Sequence, residues 1–414
     1  MEREHLKLVI VGHVDHGKST LIGRLFYDTD SLPREKLEEV RQICEALGRE
    51  LEFAFVMDHL EEERSQGITI DTAQTFFKTA KRDYVIIDAP GHREFTKNMI
   101  TGASQAEAAI LIVDVSEGVQ EQTRRHAYIL SMLGLKQVIV VLNKMDLVGY
   151  SEEVFEKVRG HTLDFLKRIG INPTYVIPIS AREGDNVASR SERMPWYTGP
   201  TILEALDTFK KTERRDGGPL RFAVQDVYNI EGKRIIVGRV EAGTLRRGDE
   251  IVILPTGERT RVKSIEEFMR EGVEEAPPGK STGITLEDKL FVDRGQILCR
   301  LEEETPKMVS EVKGSIFWMS SEPLQVGESV IFKCSTQEAP CRVEAIERRI
   351  DSSTLEVIEE SSSRLENREV GEVTLSFASP VIVEDFNVTP ELGRFVIEKE
   401  GNISGGGIIT RLEG

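Results

Sequence analysis

Residues Leu8 to Thr20 read LVIVGHVDHGKST, and this stretch decides the fold. Four apolar residues, Leu8 to Val11, favour a buried strand. They run directly into Gly12-x-x-x-x-Gly17-Lys18-Ser19, and an amphipathic helical pattern (Leu21, Ile22, Leu25, Phe26) follows. Strand, glycine-bounded loop and helix start, in that order, are the context a phosphate-binding loop requires. The glycines let backbone N–H groups turn inward around phosphate oxygens, and the opening helix adds the positive end of its dipole. In such a loop Lys18 neutralises the β- and γ-phosphates and the Ser19 hydroxyl ligates Mg²⁺.

Working outward, 414 residues exceed one ordinary hydrophobic core, so two or three domains are expected. A content of 39% hydrophobic and 30% charged residues is that of a soluble globular chain. No apolar run approaches a bilayer crossing and the start MEREHLKLVI lacks a signal-peptide pattern, so a cytoplasmic protein with no membrane partner is expected. The four cysteines (Cys44, Cys299, Cys334, Cys341) fit no disulfide framework or zinc spacing and read as reduced thiols. Net charge is −17, concentrated in residues 301–414, which hold 11 Lys and Arg against 22 Asp and Glu. That module is a poor electrostatic match for nucleic acid.

From Leu6 to about Phe209, short apolar runs alternate with amphipathic segments. The runs Tyr84–Asp88, Ala109–Val115, Val138–Leu142 and Tyr175–Ile179 read as buried strands of a doubly wound, mostly parallel sheet. Ligands of such sheets sit beyond the carboxyl ends of the strands. The informative residues fall there: Asp88-Ala89-Pro90-Gly91-His92, Asn143-Lys144-Met145-Asp146 and Ser180-Ala181-Arg182. On a polar connection between loop and sheet lies Gly67-Ile68-Thr69-Ile70-Asp71. An Asp ending a strand near the loop can hold Mg²⁺ through water, and a glycine after it offers a bare N–H to a γ-phosphate. Asp146 can accept both hydrogens of the guanine N1/N2 edge, which adenine lacks.

These four motifs together resemble the GTPase domain of the translation-factor superfamily, and the similarity runs the length of the chain. The resemblance implies that GTP or GDP is held by Gly12, His13, Val14, Asp15, His16, Gly17, Lys18, Ser19 and Thr20. It implies that Ser19 and Thr69 ligate Mg²⁺ with Asp88 behind them. Asn143 and Asp146 would read guanine, Lys144 would pack on the base, the Ser180/Ala181 backbone would approach its O6, and Arg182 counts among the nucleotide-binding residues. For catalysis it implies Lys18, Gly91 at the γ-phosphate, and His92 orienting the attacking water behind the apolar pair Val14 and Ile68. The other six histidines are assigned surface or packing roles. Between Asp28 and Arg64, the stretches REKLEEVRQICEALG and DHLEEERSQ read as helices.

After the polar linker TERRDGGP (Thr212 to Pro219), helical periodicity stops. FAVQDVY, RIIVGRV, EIVILPTG, TRVKSIE, STGITLE and QILCRL read as an antiparallel barrel. GSIFWM, SVIFKC, CRVEAIE, EVGEVTLSFA, PVIVEDF and RFVIE read as another, ending in a glycine-rich turn at GGGIITRLEG. Both resemble the later domains of the same superfamily. The expected organisation is a P-loop GTPase domain over 1–212 and barrels over 217–302 and 306–414. A second GKS, in PPGKST (Pro277 to Thr282), lacks the strand-to-helix context and is set aside.

Two members of the superfamily compete. SQGITID, GVQEQTRRHAYILSMLG, NKMDLVGYSEEVF and the stretch Gly184 to Leu206 resemble the GTPase subunit of sulfate adenylyltransferase (ATP sulfurylase). That resemblance implies sulfate assimilation and an ATP-using adenylyltransferase partner subunit. The alternative is an elongation factor Tu-type GTPase that delivers aminoacyl-tRNA to the ribosome, and DAPGHREFTKNMITG resembles the archaeal form of that carrier, with Ala89 where the sulfurylase subunit usually has Thr. The sulfurylase subunit is the expectation taken forward.

Overall fold

The strand His5–Gly12 (β1) lies at the middle of a six-stranded sheet in the computed structural model. The structure describes residues 4–32, 38, 53, 75–87, 106–210, 218–230, 232–268 and 270–412. The chain divides into two units, Met1–Lys211 and Thr212–Gly414.

In the first unit α1 (Lys18–Asp28) follows β1, then come β2 (Thr75–Lys78), β3 (Asp83–Ile86) and β4 (Ala108–Asp114). They are followed by α2 (Glu121–Met132), β5 (Val138–Asn143), α3 (Glu152–Arg168), β6 (Tyr175–Pro178) and α4 (Ile202–Thr208). The sheet order is β2-β3-β1-β4-β5-β6, parallel throughout except for β2 against β3. Every residue of β4 and β5 is buried, as strands covered on both faces must be. Leu6, Leu8 and Ile10 of β1 pack with Leu21, Ile22, Leu25 and Phe26 of α1. The antiparallel edge strand TFFK is absent from the sequence reading. Four residues are too few to display a period, and β3 supplies the pairing that makes them a strand.

The second unit holds two antiparallel barrels. In the first, Arg221–Ile230 pairs with Lys233–Ala242, and the sheet closes where Glu250–Leu254 meets Glu258–Glu267. In the second, Lys307–Trp318 lies between Glu369–Val383 and Asn402–Arg411, and closure joins Ser329–Cys334 to Gln337–Asp351. The expected architecture is therefore present: an α/β domain with a doubly wound, mostly parallel sheet, followed by two antiparallel β-barrels. GKS of PPGKST leads into the strand Ser281–Leu286 and not into a helix.

One expectation fails. The terminal glycine run is not a turn but part of the ten-residue strand Asn402–Arg411. A Cβ on Gly407 would lie 2.3 Å from the Ser315 carbonyl oxygen and 3.0 Å from the Phe395 ring, so the glycines mark close strand packing. Among the described residues no helix is long and apolar enough to cross a membrane. Cys299, Cys334 and Cys341 are buried free thiols, while Cys44, the stretch DHLEEERSQ and all of REKLEEVRQICEALG except Glu38 lie outside the described residues.

Candidate functional site

The loop after β1 rises from the carboxyl edge of the sheet because Gly12 and Gly17 let it. A Cβ on Gly12 would lie 2.3 Å from the Ile112 carbonyl oxygen of β4. Gly17 has φ of 95°, and a Cβ there would meet Asn143 Nδ2 at 2.4 Å. Asp15, at φ 61°, is exposed between them. The Val14 N–H donates to Gln122 Oε1 of α2 at 3.1 Å. Lys18 arches back across the loop, its Nζ donating to the carbonyl oxygens of Gly12 at 3.1 Å and His13 at 2.6 Å. Ser19 and Thr20 share the first turn of α1 with it. Of α1 to α4, α1 is the one whose start carries neither a side-chain cap nor an acidic residue in its first turn. Its first N–H groups and dipole end are left for an anion.

The strand ends converge on this loop. Asn143, at the end of β5, donates from Nδ2 to the His16 carbonyl at 2.9 Å and accepts the Ala181 N–H on Oδ1 at 2.9 Å. Ser180 Oγ donates to Asp146 Oδ1 at 2.7 Å, and the Met145 N–H donates to the Ile179 carbonyl at 3.1 Å. Lys144, at φ 65°, places Nζ 2.7 Å from Asp114 Oδ2. The Arg182 side chain is largely solvent-exposed and ion-pairs with Glu183 at 3.9 Å. The structure thus brings together Gly12 to Thr20, Asn143 to Asp146 and Ser180 to Arg182. Thr69, Asp88, Gly91 and His92, together with Ile68, lie outside the described residues.

Burial shapes the charges here. Desolvation brings the Lys18 ammonium down to about 8, with Asp15 opposing it. Burial works to raise the Asp114 carboxyl, but hydrogen bonds from Lys144 and Ser116 outweigh it and hold the group below the ordinary carboxylate range. His16 is fully buried and takes the Asp114 N–H on Nδ1 at 3.1 Å, which leaves Nε2–H to donate to Glu117 at 3.3 Å. His126 is held neutral, at about 3, by burial and then by the nearby Lys18 charge. Both fit the packing role expected for histidines other than His92. Asp114, Gln122 and Glu117 were missed in the sequence. Asp114 ends an apolar strand run, as Asp88 does, and that signal was available.

The donor set fits the phosphates of a nucleotide. A side chain at Gly12 or Gly17 would be blocked by backbone or by Asn143, so the cradle keeps its amides bare. A half-buried ammonium and an unopposed helix start face the same loop.

The match to known proteins is end to end. Residues 3–212 match the elongation factor Tu GTP-binding domain, 233–299 elongation factor Tu domain 2, and 311–410 the GTP-eEF1A C-terminal domain-like family. The elongation factor 1-alpha of Methanopyrus kandleri is 41% identical over 100% of this chain and 99% of its own length. The chain belongs to the elongation factor Tu/1-alpha family of GTPases. The elongation factor 1-alpha proteins of Pyrococcus horikoshii and Archaeoglobus fulgidus are also 41% identical, covering 100% and 99% of this chain and 99% and 98% of their own. Among solved structures, sup35 complexed with GDP is 23% identical over all of this chain and 95% of that one, with a TM-score of 0.47. GTPases of this family bind GTP and GDP with Mg²⁺.

The sulfate adenylyltransferase expectation is overturned by these full-length relatives, and the ATP-using adenylyltransferase partner goes with it. The structure supplies the reason the sequence misled. The stretch Gly184 to Leu206 is framework of the GTPase unit: Trp196 Nε1 donates to the Tyr150 carbonyl at 3.0 Å, and Thr201 with Glu204 forms a capping box on α4. Residues that serve internal packing report the shared domain and carry no information about the partner.

Proposed function

We propose that this protein is a GTP-dependent carrier that delivers aminoacyl-tRNA to the ribosome in the cytoplasm. The observation that carries the proposal is the likeness to elongation factor 1-alpha over the whole chain, barrels included, joined to a loop built for a nucleotide. In this reading the amides of Gly12 to Gly17 and the Lys18 ammonium hold the phosphates. Ser19, Thr69 and Asp88 hold Mg²⁺, which when bound neutralises phosphate charge. Asp146, oriented by Ser180, reads the guanine N1/N2 edge. Asn143 holds the Ala181 N–H, which sets the Ser180–Ala181 backbone beside O6, and the Lys144 stem lies on the base while Asp114 anchors its ammonium. His92 orients the attacking water and Gly91 meets the γ-phosphate.

The acidity of the third domain is partly neutralised within it. Cross-strand ladders pair Arg348 with Glu360 and Glu372, and Arg349 with Glu359 and Glu369. The first barrel offers a better surface for an unpaired nucleotide end. Tyr228, Ile230 and Phe291 are exposed there, Arg234 bonds the Leu290 and Val292 carbonyls, and its guanidinium lies 5.7 Å from the Phe291 ring centroid. Exposed rings beside a cation suit base stacking.

The test is binding of aminoacyl-tRNA to the protein loaded with a non-hydrolysable GTP analogue or with GDP. Tight binding in the first state and weak binding in the second is expected; equal binding in both removes the carrier reading. For the catalytic assignment, His92→Ala is expected to bind GTP normally and to hydrolyse it slowly on programmed ribosomes.

A further inference from the structure

Outside the motifs, one arginine ties the helix that follows the phosphate loop to the loop that presents Ser180 and Ala181. Arg24 lies on α1, its Nε 2.9 Å from Asp28 Oδ1 but off the hydrogen-bond direction. The guanidinium stands 5.2 Å from the Phe53 ring centroid and 5.5 Å from that of Tyr27. It also occupies the space where a side chain at residue 184 would be: a Cβ on Gly184 would fall 2.3 Å from Arg24 Cζ and 2.2 Å from Nη2. Gly184, at φ 87°, closes the turn by donating its N–H to the Ser180 carbonyl at 2.8 Å. The guanidinium plane therefore lies against the backbone of the turn that starts at Ser180.

We propose that Arg24 is a positioning residue for recognition of the guanine base, acting as the platform on which the turn Ser180–Gly184 is seated. Two donors leave that turn toward the base side. Ser180 Oγ holds Asp146 at 2.7 Å, and the Ala181 N–H bonds Asn143 at 2.9 Å. Ser180 is 0% and Ala181 1% exposed, so their position is set by what the turn packs on. A planar, delocalised cation suits this place because it can lie flat against a peptide on one face and an aromatic ring on the other, whereas a lysine ammonium cannot. Asp28 and the rings fix the guanidinium before any nucleotide arrives. Arg24 contacts no ligand atom in this account; it acts through Ser180 and Asp146.

This inference rests on the guanine-nucleotide reading above, and the experiment separates the two. Dissociation constants for GDP, IDP and ADP are measured on the full chain and on Arg24→Ala and Arg24→Lys, with melting temperatures for each. IDP lacks the 2-amino group that Asp146 would read. Arg24→Ala is expected to weaken GDP about tenfold, the size of one base hydrogen bond, while IDP moves far less. The GDP-to-IDP ratio then collapses, and Arg24→Lys, which keeps the charge beside Asp28 but not the plane, recovers little of it. An unchanged GDP-to-IDP ratio in both variants would overturn the proposal, whatever happens to their melting temperatures. If Arg24→Ala does not fold, the ratio in Arg24→Lys decides. A native chain that binds ADP as well as GDP removes the guanine reading itself, and this inference with it.

Discussion

The carboxamide of Asn143 donates to the His16 carbonyl at 2.9 Å, which makes a residue of the base-side motif a strut of the phosphate loop. Its other end holds the Ala181 amide. Asn143→Ala would strand two buried backbone groups, each costing about 1–3 kcal/mol. The variant is expected to lose thermal stability and GDP affinity together. Asp146→Ala, on the rim of the same site, is expected to lose affinity alone. Calorimetric melting of both variants checks this; an Asn143→Ala chain melting like the native one would contradict it.

Asp146 offers two acceptors to the base edge. Asp146→Asn replaces one of them with a donor, so preference is expected to move from guanine toward xanthine nucleotides. Competition of GDP and XDP for the variant reads this directly. Continued preference for GDP would remove Asp146 from base recognition.

Lys18 gives a pH dependence with a definite sign. Burial lowers its ammonium to about 8 from the ordinary 10.5, so the free protein loses that charge as pH rises past about 8. Phosphates favour the charged form and raise its pKa on binding. GDP binding is therefore expected to take up a proton through Lys18 near pH 8.5, about half of one or more, and the Lys18 contribution, the part that Lys18→Ala removes, is expected to vanish near pH 6.5. Titration calorimetry in two buffers of different ionisation enthalpy measures the uptake. Lys18→Ala should abolish both the uptake and most of the affinity.

The two barrels share a buried ion pair. Arg221, 1% exposed, reaches Glu384 with Nη2 at 2.6 Å and Nε at 3.1 Å, beside Ala223, Ile297, Cys299 and Ile382. Glu384→Ala leaves the buried guanidinium without its carboxylate, bonded only to the Leu220 and Glu304 carbonyls, and is expected to destabilise the second unit by about 3–5 kcal/mol. Replacing both partners with apolar residues, Arg221→Met with Glu384→Leu, should recover most of that loss. Denaturant unfolding followed by tryptophan fluorescence distinguishes the variants.

What the sequence showed and hid follows from distance along the chain. The stretch Leu8 to Ser19 is legible because strand, glycines, lysine and helix start are neighbours. The motifs at Asn143 and Ser180 are legible because a parallel sheet puts them at strand ends. Arg24 on Gly184 and Arg221 on Glu384 left no trace, since each joins residues more than a hundred positions apart with no pattern between them. The glycines of Asn402–Arg411 misled because a glycine run has no period, and only the opposing Ser315 and Phe395 show why side chains are absent. The family of the partner was misread from Gly184 to Leu206 because those residues pack the GTPase unit against itself.

The most direct test of the account measures hydrolysis of the aminoacyl ester of charged tRNA in the presence of this protein. With a non-hydrolysable GTP analogue bound, the ester should be protected and its half-life extended severalfold, and exchange to GDP should abolish the protection. Phe291→Ala should weaken it without altering GDP affinity. An ester that hydrolyses at the unprotected rate in both nucleotide states, from a protein that binds GTP tightly, would contradict the carrier function outright.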